Sequence, residues 1–286
     1  MAITTTIRAS LPWAKGPAIY RDGQVVMQID AYAPKYTADV AQGIDTELSR
    51  ISNPSDAVEF VRRFGLLNGG VYWPADEYGP FQHTTAPDAI PLEAAEPYEL
   101  FAATAAELRE VIQVTKITRT AVTTNDSDAI DWLRRWAAEE WTRRTGRYLA
   151  GEDLARHVHT RIAEPTFLRD VTGTVASKLD EGINGADDVP VTRSTLHVVG
   201  PQMPSDPREA PDRLQLRLYA PTLRAFIYWC LSQKLITRAP IVSCPGCSHD
   251  FIRAHSAQTY CTKNCARRAR YRASQQEKTA PRQGVN

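Results

Sequence analysis

Cys244-Pro245-Gly246-Cys247, then thirteen residues, then Cys261-Thr262-Lys263-Asn264-Cys265 is the stretch whose spacing decides the C-terminal fold. A Cys-x2-Cys pair sits on a tight knuckle whose backbone N–H groups can donate to the thiolates, and Pro-Gly between the sulfurs suits that turn. The second pair, at i and i+4, falls on one face of a helix's first turn. There the helix dipole and a bound cation both favour thiolate. Zinc takes four soft or borderline ligands in a tetrahedron with Zn–S distances of about 2.3 Å. The spacing therefore predicts one structural Zn2+ held by Cys244, Cys247, Cys261 and Cys265. Knuckle, short hairpin and helix-borne second pair together make a treble clef. His249 and His255 lie in the intervening loop as alternative ligands. A catalytic zinc keeps an open position beside a general base, whereas four thiolates close the site. Redox use is disfavoured, because this Cys-x2-Cys stands outside any thioredoxin-like pattern.

Downstream of Cys265 the sequence turns basic. At about 100° per residue, Ala266, Ala269 and Ala273 cluster on one side of a helix, next to Cys265. Arg267, Arg268, Arg270, Tyr271 and Arg272 fan over the rest. Arginine's planar fork suits phosphate or guanine, and a tyrosine ring can stack on a base or sugar. These residues, with Lys263 and Arg253, are the candidate nucleic-acid contacts. The alternative is that they keep the lobe soluble or meet the acidic body. From Arg238 onward nine basic residues face two acidic ones, so this end carries +7 and the remainder −6 of the net +1. Such asymmetry points to a polyanionic partner for the tail alone.

The run from Cys244 through Phe251, Tyr260, Cys261 and Cys265 to Arg267, Arg268, Tyr271 and Arg272 resembles the CGNR-type zinc fingers. The resemblance covers about thirty residues. In that family an aromatic follows the first pair and basic residues follow the fourth cysteine, matched here by Phe251 and by Arg267, Arg268 and Arg272. The first pair here is separated by two residues instead of the family's usual four, and Cys-Gly-Asn-Arg is replaced by Cys265-Ala266-Arg267-Arg268. The resemblance implies a C-terminal finger on a bacterial transcription regulator.

Upstream, elements can be read by period and punctuation. Ala18 to Arg21 and Gln24 to Asp30 flank Asp22-Gly23 as a hairpin. Asn53-Pro54-Ser55-Asp56 opens a helix burying Val58, Phe60, Val61 and Phe64, ending at or soon after Gly65. Residues 71–92 read as an irregular excursion. A helix is expected from Pro97 to about Thr118, with Leu100, Ala103, Leu108, Val111, Ile112 and Thr115 near one face. Another starts at Ser127 or Asp128 with Ile130, Leu133, Trp136 and Ala137 and stops before Gly146. Glu152 to Ala163 and Phe167 to Leu179 are further helical candidates. Ser194 to Val199 and the alternating run from Arg213 to Leu218 read as strands. Leu223, Phe226, Ile227, Cys230, Leu231 and Leu235 form one amphipathic stripe, with Cys230 as a small buried hydrophobe.

With 286 residues and 43% hydrophobic composition the chain can bury a real core. No apolar run reaches the roughly 18 residues a membrane helix needs, and no secretory h-region is seen, so a cytoplasmic protein with no membrane partner is expected. The fold class is α+β: a mostly helical body over 1–240 with short N-terminal and pre-finger strands, a finger with its basic helix over 241–273, and a disordered tail over 274–286. The body is expected to sense a small-molecule or protein effector, or to mediate assembly. No phosphate loop, nucleophile elbow or dinucleotide fingerprint occurs, and no catalytic residues are assigned. His157 and His159 point about 200° apart on a helix and cannot share a metal there, whereas on a strand they could. The leading function is a nucleic-acid-binding, DNA-directed regulatory protein. The alternatives are a protein-interaction zinc module on a scaffold body, or an RNA-directed accessory factor.

Overall fold

A computed structural model describes residues 13–28, 31–33, 43–68, 93–146, 164–184, 195–199, 215–219 and 222–279. Its helices are α1 (Ile44–Ser49), α2 (Pro54–Phe64), α3 (Tyr98–Thr124), α4 (Ser127–Thr145), α5 (Glu164–Asn184), α6 (Leu223–Ile236) and α7 (Lys263–Thr279). Its strands are β1 (Trp13–Lys15), β2 (Ala18–Arg21), β3 (Gln24–Gln28), β4 (Ala31–Ala33), β5 (Glu93–Pro97), β6 (Thr195–Val199), β7 (Gln215–Tyr219), β8 (Ile241–Ser243) and β9 (Asp250–Ile252). The described chain is thus mostly helical, with short strands paired antiparallel, an α+β arrangement. No helix among the described residues is long and apolar enough to cross a membrane. Contacts gather the chain into two compact units: Met1–Ala106 with Glu181–Thr237, and Glu107–Asp180 with Arg238–Asn286.

In the first unit the β2–β3 hairpin turns on Asp22 (φ 54°) and Gly23 (φ 79°), the left-handed pair for which Asp-Gly is suited. β5 adds to β3 in the order β2-β3-β5, with Val26 opposite Ala95. Nothing in Glu-Ala-Ala-Glu-Pro has strand propensity, so β5 is imposed by its partner strand and not by local preference. Its buried Glu96 accepts from the backbone N–H of Leu67 (2.7 Å) and Asn68 (2.6 Å), fastening the chain that leaves α2. α2 has the expected start: Asn53 Oδ1 accepts from Asp56 N–H at 3.0 Å, while the Asp56 carboxylate accepts from Ser52 N–H at 3.1 Å. It ends at Gly65 (φ 86°), and Phe60 packs on Phe64 and, edge-on, on Phe101.

α6 departs from the single stripe expected of it. Ala225, Tyr228 and Ser232 are buried along with Leu223, Phe226, Ile227, Cys230 and Leu231, so its first turns are enclosed on nearly every side. Only the end emerges: Leu235 is half-buried and Ile236 is 72% exposed. Cys230 is buried as expected. Burial, with the nearby Asp45 carboxylate, pushes its thiol up to about 12, which leaves it protonated and unreactive. β6 and β7 pair from Thr195 opposite Tyr219 to Val199 opposite Gln215.

The second unit takes the later part of α3, α4, most of α5 and the C-terminal segment. α3 begins one residue after the expected Pro97 and buries Phe101, Thr104, Ala105, Leu108, Val111 and Ile112, while Ala103 is exposed. The inward stripe is therefore rotated from the expected one at its N-terminal end, where the larger Phe101 takes the core position. α4 matches expectation. Asp126 caps it through Asp128 N–H (2.9 Å), Gly146 ends it at φ 64°, and Ile130, Leu133 and Trp136 face inward. α5 begins at Glu164, ahead of the expected Phe167, with Pro165 in the first turn, where its missing N–H costs nothing. Its threonines are accommodated because Thr172 and Thr174 donate to the carbonyls of Leu168 and Asp170. A buried ion cluster ties the three helices: Lys178 Nζ lies 3.0 Å from Glu140 Oε2 and 3.2 Å from Glu110 Oε2, and Trp136 Nε1 donates to Glu110 at 2.6 Å. Burial alone would raise the Glu140 carboxyl, but Arg144, Lys178 and Arg143 around it hold it below its ordinary value.

Residues 71–92, the helix expected over 152–163, and the pair His157 and His159 lie outside the described residues. α7 runs through Ser274 to Thr279, into the segment read from sequence as a tail.

Candidate metal centre and basic helix

Three pieces of chain build the site. β8 and β9 form an antiparallel hairpin in register from Ile241 opposite Ile252 to Ser243 opposite Asp250. Cys244 follows β8 directly and opens the turn. Ser248 N–H donates to the Cys244 carbonyl at 2.7 Å, and Cys244 N–H donates to the His249 carbonyl at 2.9 Å. Ser248 takes a left-handed conformation (φ 61°) to close this turn. Between the sulfurs, a Cβ on Gly246 would sit 3.3 Å from Cys265 Cβ and from the Cys265 carbonyl oxygen. The glycine thus lets the knuckle approach the first turn of α7 closely. That helix starts where Thr262 Oγ1 accepts from Cys265 N–H at 3.2 Å, a side-chain cap that fixes the orientation of the last cysteine.

The four sulfur atoms of Cys244, Cys247, Cys261 and Cys265 all lie within 4.8 Å of one another. Cys261 Sγ is 3.5 Å from both Cys247 Sγ and Cys265 Sγ. These are not disulfides, for which sulfur atoms approach to about 2.05 Å. A tetrahedron with Zn–S of about 2.3 Å places neighbouring sulfurs about 3.8 Å apart, so the observed spread brackets what one such ion requires. The four side chains can therefore hold one metal ion such as zinc. His249 and His255 are exposed and do not belong to this cluster. Cys244, Cys261 and Cys265 are buried with Phe251 in one small core, on which Val242, Cys247 and Tyr260 pack. Phe251 thus supplies the hydrophobic support that a lobe this small otherwise lacks.

The electrostatics favour the thiolate at Cys244. Burial pushes the Cys244 thiol up, but N–H groups of Cys261 and Gly246, with the neighbouring thiols, outweigh it and bring the thiol from 9.0 down to about 7. One of these contacts is Cys261 N–H to Cys244 Sγ at 3.5 Å. Cys247 moves the other way, raised chiefly by burial. No acidic residue occupies the first turn of α7. When bound to a cation as thiolates, Cys261 and Cys265 would supply at that end the negative charge the helix dipole favours.

Other side chains in the same unit brace the lobe, and sequence reading did not identify them. Gln258 Oε1 accepts from Ala254 N–H at 2.7 Å and its Nε2 donates to the Tyr260 carbonyl at 3.2 Å, spanning the loop between the cysteine pairs. Lys116 on α3 donates to Asp250 Oδ1 (2.8 Å) and Ser243 Oγ (3.0 Å), and Arg119 donates to the Ala239 carbonyl (2.7 Å). The cap at Thr262 was not read from the sequence either, although a threonine just before a helix start is a signal for one. Partners more than a hundred positions apart, such as Lys116 and Asp250, leave no mark in a single sequence.

The candidate nucleic-acid residues divide by position. Arg267, Arg268, Tyr271 and Arg272 line one shallow, open concavity of about 280 Å³ on α7. Arg270 is exposed elsewhere on the helix, and Lys263 is exposed on its first turn. Arg253 is half-buried, its guanidinium facing the Ser256 carbonyl at 3.5 Å. Ala266 and Ala269 are half-buried as a packing face requires, but Ala273 is exposed, and every side chain from Arg270 to Gln275 is exposed. Among the described residues no carboxylate pairs with Arg267, Arg268, Arg270 or Arg272.

Comparison with protein-family models, with curated proteins and with solved structures found no match for this chain.

Proposed function

We propose that this chain is a cytoplasmic, nucleic-acid-binding regulatory protein, DNA-directed, whose C-terminal segment is a treble-clef finger of the CGNR-like kind closed by one structural zinc. Zinc suits the donor set, because four cysteine sulfurs within 4.8 Å of one another match its preferred ligands and coordination number. The observation that carries the function is the arginine face of α7, which meets no carboxylate among the described residues, on a helix with Cys265 in its first turn and Cys261 just before it. Arginines that meet no carboxylate among the described residues are available to phosphate, and the +7 of this end against −6 elsewhere directs a polyanion to it. The remaining chain senses an effector or mediates assembly.

The test is binding of labelled DNA across a salt series. Affinity should fall with a log–log slope near −0.9 per phosphate contact on duplex, or about −0.7 per contact on single strands. Reversing Arg267, Arg268, Arg270 and Arg272 together to Glu should abolish binding while zinc content stays at the wild-type level. Undiminished affinity in that variant would overturn the reading.

A second reading has its own support. Lys116 and Arg119 join α3 to the β8–β9 hairpin, as expected of a zinc lobe that serves mainly to complete its own unit and present a protein-docking surface. Salt-insensitive capture of a protein partner, with no retention of nucleic acid, would favour it.

A further inference from the structure

Tyr271 stands at a position that duplex phosphate binding does not explain. It is the one aromatic on α7, it is 65% exposed, and it lies within the arginine-lined concavity. An exposed ring among arginines can stack on a ligand that offers a flat face. Bases stacked inside a duplex offer edges and backbone, whereas an unpaired base offers its face.

The spacing around the ring fits the same ligand. Arg267 and Arg268 precede Tyr271 by one helical turn, and Arg272 follows it immediately. At about 1.5 Å of rise per residue the two arginine groups are about 6 to 7.5 Å apart along the axis, with the ring between them. That is the order phosphate, base, phosphate met along one extended strand. The concavity of about 280 Å³ has room for a single base against the ring.

We infer that the α7 face is built for single-stranded nucleic acid, with one base stacked on Tyr271 and the flanking phosphates held by Arg267, Arg268 and Arg272. This rests on the nucleic-acid reading above, narrows its substrate to unpaired strands and leaves the choice of DNA or RNA to the test.

The experiment measures affinity of the full chain for labelled oligo-dT, oligo-rU and a mixed-sequence duplex of equal length, for wild type, Tyr271→Ala and Tyr271→Phe. Single strands should bind more tightly than duplex. Tyr271→Ala should lose about tenfold or more on single strands, with the salt slope unchanged, and Tyr271→Phe should retain wild-type affinity. Comparison of the dT and rU arms assigns the sugar. Because Tyr271 is exposed, its replacement should leave zinc content unaltered, which checks that the variants are folded. Equal or tighter binding to duplex, or a Tyr271→Ala variant that binds single strands as well as wild type does, overturns the inference and leaves nucleic-acid binding standing. No binding to any of the three probes overturns both.

Discussion

At Gly182 the chain has no room for a methyl group. A Cβ there would lie 2.1 Å from Cδ1 of Tyr228, whose ring is fully buried and cannot swing aside. Gly182→Ala should therefore destabilise the protein by about 1–3 kcal/mol in urea unfolding, as overpacking does. Gly173, on the same helix, meets nothing within 4 Å, so Gly173→Ala should be neutral or stabilising by up to about 1 kcal/mol. The sequence shows two helical glycines and no difference between them, because the distinction lies in a neighbour far along the chain. The cysteines are the opposite case: their roles could be read from spacing, since knuckle and helix turn bring each pair together locally. Their proton chemistry could not. With Cys244 lowered to about 7 and Cys247 raised chiefly by burial, protons compete with metal at both thiols. Metal affinity should weaken as pH falls through about 7 and rise as pH increases above it, as a competition titration with a zinc chelator at several pH values would measure.

Among elements, those with their own punctuation were legible. The Asp22-Gly23 hairpin, the Asn53 cap of α2 and the Gly146 stop of α4 are local events, and each is where the sequence places it. β5 was not legible, because its strand state comes from pairing with β3. The surroundings of α6 were equally hidden: an apolar stripe specifies one buried face and says nothing of what encloses the other. Nor does any pattern announce the ion cluster of α3, α4 and α5. Lys178 there serves two carboxylates while its own side chain is 7% exposed. Lys178→Met should cost about 3 kcal/mol, since it leaves buried negative charge short of a partner. Glu140, held below its ordinary value, contributes stability that is present above the unfolded-state carboxylate range and is lost as pH falls through its lower folded value. Glu140→Gln should accordingly be less stable at neutral pH and lose less on acidification, readable as a flatter dependence of the urea midpoint on pH.

For the whole molecule, the charge division is the feature that composition conceals and position reveals: a net +1 that separates into a basic end and an acidic remainder. The class, α+β and mostly helical, followed from periodicity along the chain. The grouping into two units did not, since each is assembled from stretches that other segments separate. The proposed function rests on a small part of the chain, in which a cysteine cluster fixes a helix and the helix displays arginines. Removal of metal should then unfold the lobe and abolish nucleic-acid binding together, because ligation energy is folding energy in a site of this kind. The most direct test is zinc-edge X-ray absorption on the anaerobically purified full chain, with elemental analysis of the same sample. One zinc per chain with a shell of four sulfurs at about 2.3 Å is the expected result. A mixed nitrogen and oxygen shell, or protein with no stoichiometric zinc, would contradict it.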